Sequence, residues 1–522
     1  MRHMPLPGRR LPARLVALVR AYLRAPFRAL LPARLPALLP ALALLLAACQ
    51  PAAFVRPDVP VPERWPREAA REGGEVKQGV VVEQGVAAEQ GIAAEQGAAS
   101  LGALPWKEIL PAPELHALIE EALVANADLR IAIERIELAR AQYGIERAAL
   151  FPGVNASAAA TRERMPGFDP RENRVGENAV VGLSMPAWEI DLWGRLAART
   201  EAARREVLAS AALADGVRTS LVAQLSSLYL ELLDLDAQHE ITRRTLDGRR
   251  KALRLTRARF DEGVSSILDV RQAESLLAGS EQALADQARR IAQTENALAT
   301  VLGRNPGPIA RSARLDELPP PARLDAGLPS ALRQRRPDIR AAEDSLRAAG
   351  ASVDAARKAF LPRITLTTLL GFASTDFGQL FDSGRHAWSL QPSIGLPLFD
   401  GGRLQAGVEV AEAQQRILVE QYKATIRQAF REVSDALVAF ERLTEQREAT
   451  RRVVQANRER LRVSNARYLA GISSYFEVID AERQLFDSEL GLAQVTRGVQ
   501  QAVVQLYRAL GGGAAGAGSP RT

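Results

Sequence analysis

Apolar side chains recur at helical spacing in two long stretches of the chain. Within each stretch, successive members are 4, 4, 3, 4 and 3 residues apart, so they lie on one side of a helix. No proline occurs between residues 187 and 305 or between 398 and 519. The two sets are Val217, Leu221, Leu225, Leu228, Leu232 and Leu235, and Tyr422, Ile426, Phe430, Val433, Leu437 and Phe440. We predict long, unbroken helices that pack along these sides.

Each stretch is long enough to form a helical hairpin. The predicted helices are Arg195 to Phe260, Ser266 to Leu302, Arg403 to Tyr468 and Ser474 to Leu510. At 1.5 Å per residue, the first and third would each extend roughly 100 Å. A glycine and two serines stand at each reversal. Glycine allows the backbone to turn, and serine can cap the helix that follows.

Outside the helical stretches, apolar and polar residues alternate. One run places Ile364, Leu366, Thr368, Leu370 and Phe372 on one side, and another places Trp388, Leu390, Pro392, Ile394, Leu396 and Leu398 on one side. Such alternation over about ten residues is typical of transmembrane β-strands, but ordinary surface hairpins also show it. Weaker candidates lie at 154–161 and 180–193, and polar loops are predicted at 162–179 and 373–387.

Four strands in one chain cannot close a barrel, and lipid does not tolerate an open sheet edge. Membrane strands would therefore require more than one chain. Two chains would supply the eight strands of the smallest membrane barrels, and three would supply twelve.

The order of elements is duplicated. Residues 126–152 align with 336–362 at an offset of 210, and the two reversals align at an offset of 208. Around the reversals, 258–274 and 466–482 share eight identical residues out of seventeen. The chain therefore consists of two similar units, each with a strand pair and a helical hairpin.

The positive charge is confined to the start of the chain. The net charge is +7, but residues 1–48 contain eight arginines and no acidic residue, so the remainder has 60 basic and 61 acidic residues. A nearly neutral remainder gives no electrostatic reason to bind nucleic acid. With one cysteine and four histidines in 522 residues, neither an intrachain disulfide nor a Cys/His zinc cluster is predicted.

The first 48 residues have the pattern of a secretory signal. An arginine-rich stretch is followed by the apolar run LPALLPALALLLAA, which is too short and too rich in proline to span a bilayer as a helix. The run ends in Leu-Ala-Ala-Cys, a lipobox, so we predict acylation of Cys49. Beyond it, Gln-Gly recurs every six residues at 78, 84, 90 and 96, a segment interpreted as a flexible tether or insertion.

These residues together resemble a known family, the TolC-type outer-membrane factors, and within it the lipidated OprM/NodT-like branch. The resemblance covers about residues 104–511. It depends on LPWKEIL, ADLRIA, WEIDLWGR, LPLFDGGR, the two glycine turns and the Leu-Gly that closes each repeat. It implies a mixed α and β membrane protein that forms a homotrimer, with a twelve-stranded transmembrane barrel in outer-membrane lipid and an α-helical barrel in the periplasm.

The resemblance also implies a function and partners. Such a trimer is a passive exit duct that docks with a periplasmic adaptor and an inner-membrane transporter, here of the RND type. Lipidation favours the efflux of drugs or other small molecules. The alternatives are a channel for type I protein secretion and a periplasm-spanning structural lipoprotein without a pore. No nucleophile and base pair, metal-ligand spacing or phosphate loop occurs, so neither an enzyme nor a cofactor is predicted.

The family further implies two sites on the reversals. The periplasmic aperture would be lined by the second reversal's acidic residues Glu477 and Asp480, with Phe476 and Arg483 beside them; Phe476, Asp480 and Arg483 share a helix face. At the first reversal Gln272 replaces the second acid. The adaptor-docking turns would be Gly263, Val264, Ser265 and Ser266, and Gly471, Ile472, Ser473 and Ser474. A solvated helix start and ordinary turn chemistry remain the alternatives.

The expected organisation has five segments. They are a signal peptide (1–48), a lipid-anchored segment with the Gln-Gly insertion (49–103), repeat 1 (104–312), repeat 2 (313–511) and a flexible tail (512–522). The sequence does not identify the exported substrate, the adaptor or the pump.

Overall fold

The computed structural model describes residues 54–59, 65, 101–109, 112–166, 173–318 and 326–512, all within the unit Phe54–Thr522. The predicted signal peptide, Cys49, the Gln-Gly repeats and the predicted tail beyond residue 512 lie outside the described residues.

Two series of elements follow one another in the same order. In chain order the helices and strands are α1 (Trp106–Ile109), α2 (Pro113–Ala125), α3 (Ala127–Ala148), β1 (Asn155–Pro166), β2 (Asn173–Ile190), α4 (Arg195–Asp261), α5 (Ile267–Val301), α6 (Leu332–Arg335), α7 (Pro337–Lys358), β3 (Arg363–Ser374), β4 (His386–Gly395), α8 (Arg403–Leu469) and α9 (Tyr475–Ala509). The series α3, β1, β2, α4, α5 therefore corresponds to α7, β3, β4, α8, α9, as the duplication predicts.

The four long helices begin and end within one residue of their predicted bounds. Helices α4 and α8 each contain 67 residues, a length of roughly 100 Å. The predicted apolar sides are buried or half-buried, and Leu225, Leu232, Tyr422 and Ile426 have no exposed surface. Hydrophobic spacing and the absence of proline are thus sufficient to place these helices.

The long helices have different neighbours at the strand end and at the reversal end. Near the strands, α3 packs on α4, α4 on α7, and α7 on α8. Towards the reversals, α5 packs on α4, α4 on α9, and α9 on α8. Helices α4 and α9 are therefore the inner neighbours at the reversal end, and α5 and α8 form the two edges.

Each repeat is closed by a matching hydrogen bond. Asn126, which caps α3, donates from Nδ2 to the carbonyl oxygen of Val301 at 2.8 Å. Arg336, at the start of α7, donates from Nη1 to the carbonyl oxygen of Ala509 at 3.0 Å. In both repeats the short helix before the strands is thereby tied to the end of the return helix, whose last carbonyl groups lack helical partners.

The strands form one antiparallel sheet in the order β1-β2-β3-β4. Its register pairs Leu370 with Trp388 and Ile364 with Ile394. The two predicted apolar sides therefore lie on the same face, where Leu370, Trp388 and Ile394 are exposed. Such a wide exposed apolar face requires lipid or another protein to cover it.

The predicted bounds of three strands are wrong. Strand β1 continues to Pro166 and β2 begins at Asn173, so most of the predicted loop at 162–179 is strand. Arg162 pairs with Glu177 across these strands, with 3.1 Å between Nε and Oε1. Their polar composition concealed the strand ends. Strand β2 also stops at Ile190, and β4 at Gly395.

The few described residues before α1 lie on the second repeat. The indole of Trp65 is 2% exposed, donates to the carbonyl oxygen of Gly327 at 2.8 Å and packs on Phe430. Arg56 pairs with Glu343 of α7 at 2.8 Å. The start of the described chain is thus fixed against α7 and α8, near the middle of the long helices.

Candidate periplasmic aperture and docking turns

The two reversals lie side by side. Under them is one apolar cluster to which both hairpins contribute. Its buried members are Leu253, Val270 and Ala273 from the first hairpin and Tyr468, Tyr475 and Val478 from the second. The rings of Tyr468 and Tyr475 are 5.1 Å apart, and the Arg259 guanidinium lies 4.7 Å from the Tyr468 ring. The duplicated segments therefore meet at one end of the molecule.

Both reversals have the same backbone geometry. Gly263 and Gly471 adopt φ values of 74° and 73°, which an L side chain rarely adopts. The next residue donates back to the last helical turn, from Val264 N to Arg259 O at 2.7 Å and from Ile472 N to Arg467 O at 2.9 Å. This is a Schellman motif, so each glycine ends a long helix and begins the turn.

The two return helices are capped differently. Ser266 and Asp269 form a capping box, with Asp269 N to Ser266 Oγ at 3.2 Å and Ser266 N to Asp269 Oδ2 at 3.0 Å. Ser474 makes no side-chain cap, so the predicted capping role is wrong at this position. The residue that matches Asp269 is Glu477, whose longer side chain turns towards Arg467 instead, at 3.6 Å.

The turn residues present apolar surface at the end of the molecule. Val264 and Ile472 are 62% and 68% exposed, and Phe476 is 63% exposed. Ser265 donates to the carbonyl oxygen of Thr256 at 3.1 Å, whereas the buried hydroxyl of Ser473 has no hydrogen-bond partner. The exposed apolar side chains at both turns form a surface to which another protein could bind.

Asp480 stands at the centre of a hydrogen-bonded group on the second hairpin. Its Oδ2 accepts from Arg460 Nη2 of α8 at 2.5 Å and from Gln484 Nε2 at 3.0 Å. Its Oδ1 accepts from Arg483 Nη2 at 3.2 Å. The carboxylate thus connects α9 to α8 and accepts hydrogen bonds from two arginines. The contact with Arg483 is the one that the shared helix face predicts.

The ionisation of Asp480 reflects this arrangement. Burial would raise the pKa of the carboxyl, but the hydrogen bonds from Arg460 and Gln484 and the charges of both arginines outweigh it and lower the pKa. A carboxyl whose pKa is lower in the folded state stabilises the fold fully at pH values above its unfolded-state pKa. This contribution is lost as the pH falls through the lowered, folded-state pKa. The group therefore remains intact at neutral pH.

Arg460 and Arg467 are functional candidates that sequence reasoning missed. Both lie on α8 and face acidic residues of α9, Arg460 facing Asp480 and Arg467 facing Glu477. The hairpin geometry predicts these pairs, because residues at similar distances along the chain before and after Gly471 lie opposite each other. The counter-charges come from α8, the other helix of the hairpin.

The first hairpin has its arginine-paired acidic residue at a different position along the return helix. Gln272 occupies the position of Asp480, and Glu274 instead accepts from Arg257 at 2.6 Å and from Arg271 at 2.8 Å. The two turns therefore share a backbone but differ in charge, as the sequence indicates. Among the described residues no group of three or more His, Cys, Asp and Glu side chains could hold a metal ion, and no helix is long and apolar enough to cross a membrane.

Comparison with known proteins identifies this architecture. The model of the family described as "Outer membrane efflux protein" matches residues 118–304 and 328–512. The chain belongs to the outer membrane efflux protein family. Outer membrane efflux proteins are efflux ducts and not enzymes, and the family expected from the turns and strand ends is confirmed, as is the outer-membrane location.

Individual outer membrane efflux proteins are similar over most of their length. The outer membrane protein OprJ of Pseudomonas aeruginosa is 38% identical over 486 residues, which is 90% of this chain and 94% of that protein. The toluene efflux pump outer membrane protein TtgC of Pseudomonas putida is 38% identical over 416 residues, 78% of this chain and 85% of that protein.

Solved structures of outer membrane efflux proteins have the same fold. The open state of the MtrE outer membrane channel of Neisseria gonorrhoeae matches with a TM-score of 0.76 and 31% identity, over 89% of this chain and 98% of that one. A membrane protein from Pseudomonas aeruginosa matches with a TM-score of 0.79 and 34% identity, over 88% and 99%. The predicted combination of helical hairpins and strand pairs is therefore confirmed.

Proposed function

We propose that this outer membrane efflux protein is the exit duct for drugs or other small molecules in a tripartite pump. The observation that carries the proposal is the joining of a four-stranded sheet, with an exposed apolar face, to helical hairpins roughly 100 Å long. Such a molecule has one part suited to lipid and another long enough to reach far into an aqueous space. The names of its relatives, which include a toluene efflux pump protein, support small apolar molecules as the cargo.

The working assembly is a homotrimer. In one chain β1 and β4 are edge strands, and their unpaired backbone groups are not tolerated in lipid. Three antiparallel four-stranded sheets joined edge to edge supply the expected twelve strands. In the helical part, α5 and α8 are the corresponding edges, so the same three-fold closure brings α8 of one chain beside α5 of the next.

The second hairpin lines the periplasmic aperture. Phe476, Glu477, Asp480 and Arg483 lie together near the start of α9, and Arg460 of α8 joins the site. In a trimer, three copies of this group would stand around one axis. Because each Asp480 already has two arginine partners in its own chain, the carboxylates could approach without the repulsion expected of bare charges.

The turns of both hairpins dock with a periplasmic adaptor, which connects the duct to an inner-membrane transporter of the RND type. Exposed Val264 and Ile472 supply apolar contact at positions fixed by Gly263 and Gly471. Two such turns per chain give six in a trimer, so the adaptor would meet two similar but differently charged surfaces in alternation.

The remaining organisation is proposed as expected from the sequence. The repeats occupy 104–312 and 313–511, preceded by a cleaved signal of 48 residues and a lipid-anchored segment, and followed by a short tail. The described residues 54–59 lie against the second repeat, where Arg56 pairs with Glu343 of α7 and Arg347 of α7 lies over the ring of Phe54.

Loss of the gene should make its host more sensitive to exported compounds. We expect the inhibitory concentration of at least one drug or solvent to fall, because one export route is lost, and a plasmid copy of the gene to restore it. Growth inhibition in the deletion strain measures this. Equal sensitivity to a broad panel, with the partner pump expressed, would refute an efflux role.

Replacing Cys49 by serine should abolish acylation. A serine hydroxyl cannot form the thioether on which lipoprotein processing depends, so incorporation of labelled palmitate should fall to background. Metabolic labelling followed by immunoprecipitation measures it, and the same chain with Cys49 intact is the control. Retention of label in Cys49→Ser would show that the lipobox assignment is incorrect.

A further inference from the structure

The two inner helices α4 and α9 contact each other in a regular antiparallel register. Asp234 of α4 pairs with Arg497 of α9, with 3.2 Å between Oδ2 and Nη1. Fifteen residues further along α4 stands Arg249, and fifteen residues back along α9 stands Glu482. Another seven residues bring Thr256 beside Tyr475, whose side chains are hydrogen-bonded. We call this line of contacts between the two hairpins the α4–α9 seam.

Arg249 is the buried cation of the seam. Its side chain is directed to its own hairpin, because Nη1 donates to the carbonyl oxygen of Leu276 at 3.0 Å and to Ser280 Oγ at 2.6 Å. Its guanidinium also lies 5.3 Å from the ring of Phe486 on α9, and its Nε is buried without a partner. Arg249 therefore faces α9 without donating a hydrogen bond to it among the described contacts.

Glu482 lies opposite as an incompletely paired carboxylate. Its Oε2 is buried and has no hydrogen-bond partner in the described residues. Burial raises the pKa of Glu482, and the charge of Arg249 counteracts this only in part. Arg249 is the charged group that acts on it from α4, and Tyr475 is the titratable neighbour on α9. The ionised carboxylate is thus less stable in the seam than in water.

Comparison of the two repeats shows which partners Glu482 lacks. Its counterpart in the first hairpin is Glu274, which has two arginine partners, Arg257 and Arg271. At the matching positions of the second hairpin stand Asn465 and Ile479, so both counter-charges are absent. The second hairpin has the acid without the two arginines that pair with it in the first hairpin.

We propose that Glu482 is a positioning residue that weakens the α4–α9 seam and thereby favours opening of the periplasmic aperture. The inference rests on the proposed function as an exit duct. Separating α9 from α4 gives water access to Oε2 of Glu482, the carboxylate oxygen that is buried without a partner in the seam. Asp480 acts in the opposite sense, because its carboxylate is paired both with Arg460 of α8 and with Arg483 of its own helix. The two acids are two residues apart on α9, about 200° around the helix, and so face different neighbours.

The test uses Asp480→Ala trimers, which are expected to be open enough for a decrease to be measured. Adding Glu482→Gln keeps the size of the side chain and removes its charge, so the seam should close more tightly. We expect the open probability in single-channel recordings to fall at least about fivefold, the lower end of usual coupling between sites. An unchanged or increased open probability would overturn the proposal.

A double-mutant cycle distinguishes a charge effect from general loosening. Arg249→Gln should raise the open probability when Glu482 is present and have a much smaller effect with Glu482→Gln. The matched control is Asn457→Ala, because Asn457 makes the same two contacts in the second hairpin, with Gln484 O at 3.2 Å and Ser488 Oγ at 3.1 Å, but has no charge. Its effect should simply add to that of Glu482→Gln.

The outcomes separate this inference from the proposed function. Equal effects of Arg249→Gln with and without the Glu482 charge would eliminate the cross-hairpin interaction and leave the exit duct intact. Asp480→Ala trimers that conduct no ions at all would contradict the exit duct itself, and the proposed role of Glu482 would then also be refuted.

Discussion

Trimers in which alanine replaces Asp480 are expected to conduct at least about tenfold more current than the unaltered protein. The change removes the acceptor shared by Arg460, Arg483 and Gln484, so α9 loses a tie to α8. It also leaves two unpaired cations per chain near the proposed axis, and like charges repel. The expected size lies within the usual range of coupling between a site and a conformational change. Purified trimers in planar bilayers provide the measurement.

The duplication supplies a matched control for this prediction. Gln272→Ala alters the corresponding position of the first hairpin, where no acidic group is removed, and should leave conductance unchanged. Arg460→Ala removes the partner from α8 and should act in the same direction as Asp480→Ala. If Gln272→Ala opened the channel equally well, the aperture could not be assigned to the second hairpin.

The long helices could be predicted closely because their signals are local and repeated. Spacings of three and four extend over several turns, and the glycines at 263 and 471 mark the reversals with the φ values that only glycine adopts easily. Each such signal depends on residues near one another in the chain. Errors of one residue at the ends are therefore the expected result.

The charged contacts could be predicted less well because they join distant residues. The pairing of Arg460 with Asp480 depends on the register of a hairpin, and the isolation of Glu482 depends on where another hairpin packs. The strand ends at 162–166 and 173–179 were not predicted for a related reason, since Arg162 and Glu177 pair with each other across the strands and not with an apolar core. Alternation of apolar residues cannot reveal such segments.

The sheet offers a second prediction with a large effect, at the glycine pair between β2 and β3. Gly182 and Gly371 are register partners, and a Cβ built on Gly182 would lie 2.5 Å from the carbonyl oxygen of Leu370. Real Cβ atoms do not come so close, so Gly182→Ala forces the two backbones apart in the middle of the sheet. Each backbone group that loses its partner in lipid costs several kcal/mol.

We therefore expect Gly182→Ala to reduce the amount of folded, protease-resistant protein in outer-membrane fractions more than tenfold, since each 1.4 kcal/mol is a factor of ten. Gly176→Ala is the matched control, because Gly176 lies on the same strand and a Cβ there would meet nothing within 4 Å. The proposed barrel needs all four strands of every chain to remain paired, so a defect between β2 and β3 should prevent closure of the whole ring. Normal yield of Gly182→Ala would show that the β2–β3 pairing is looser than the structure indicates.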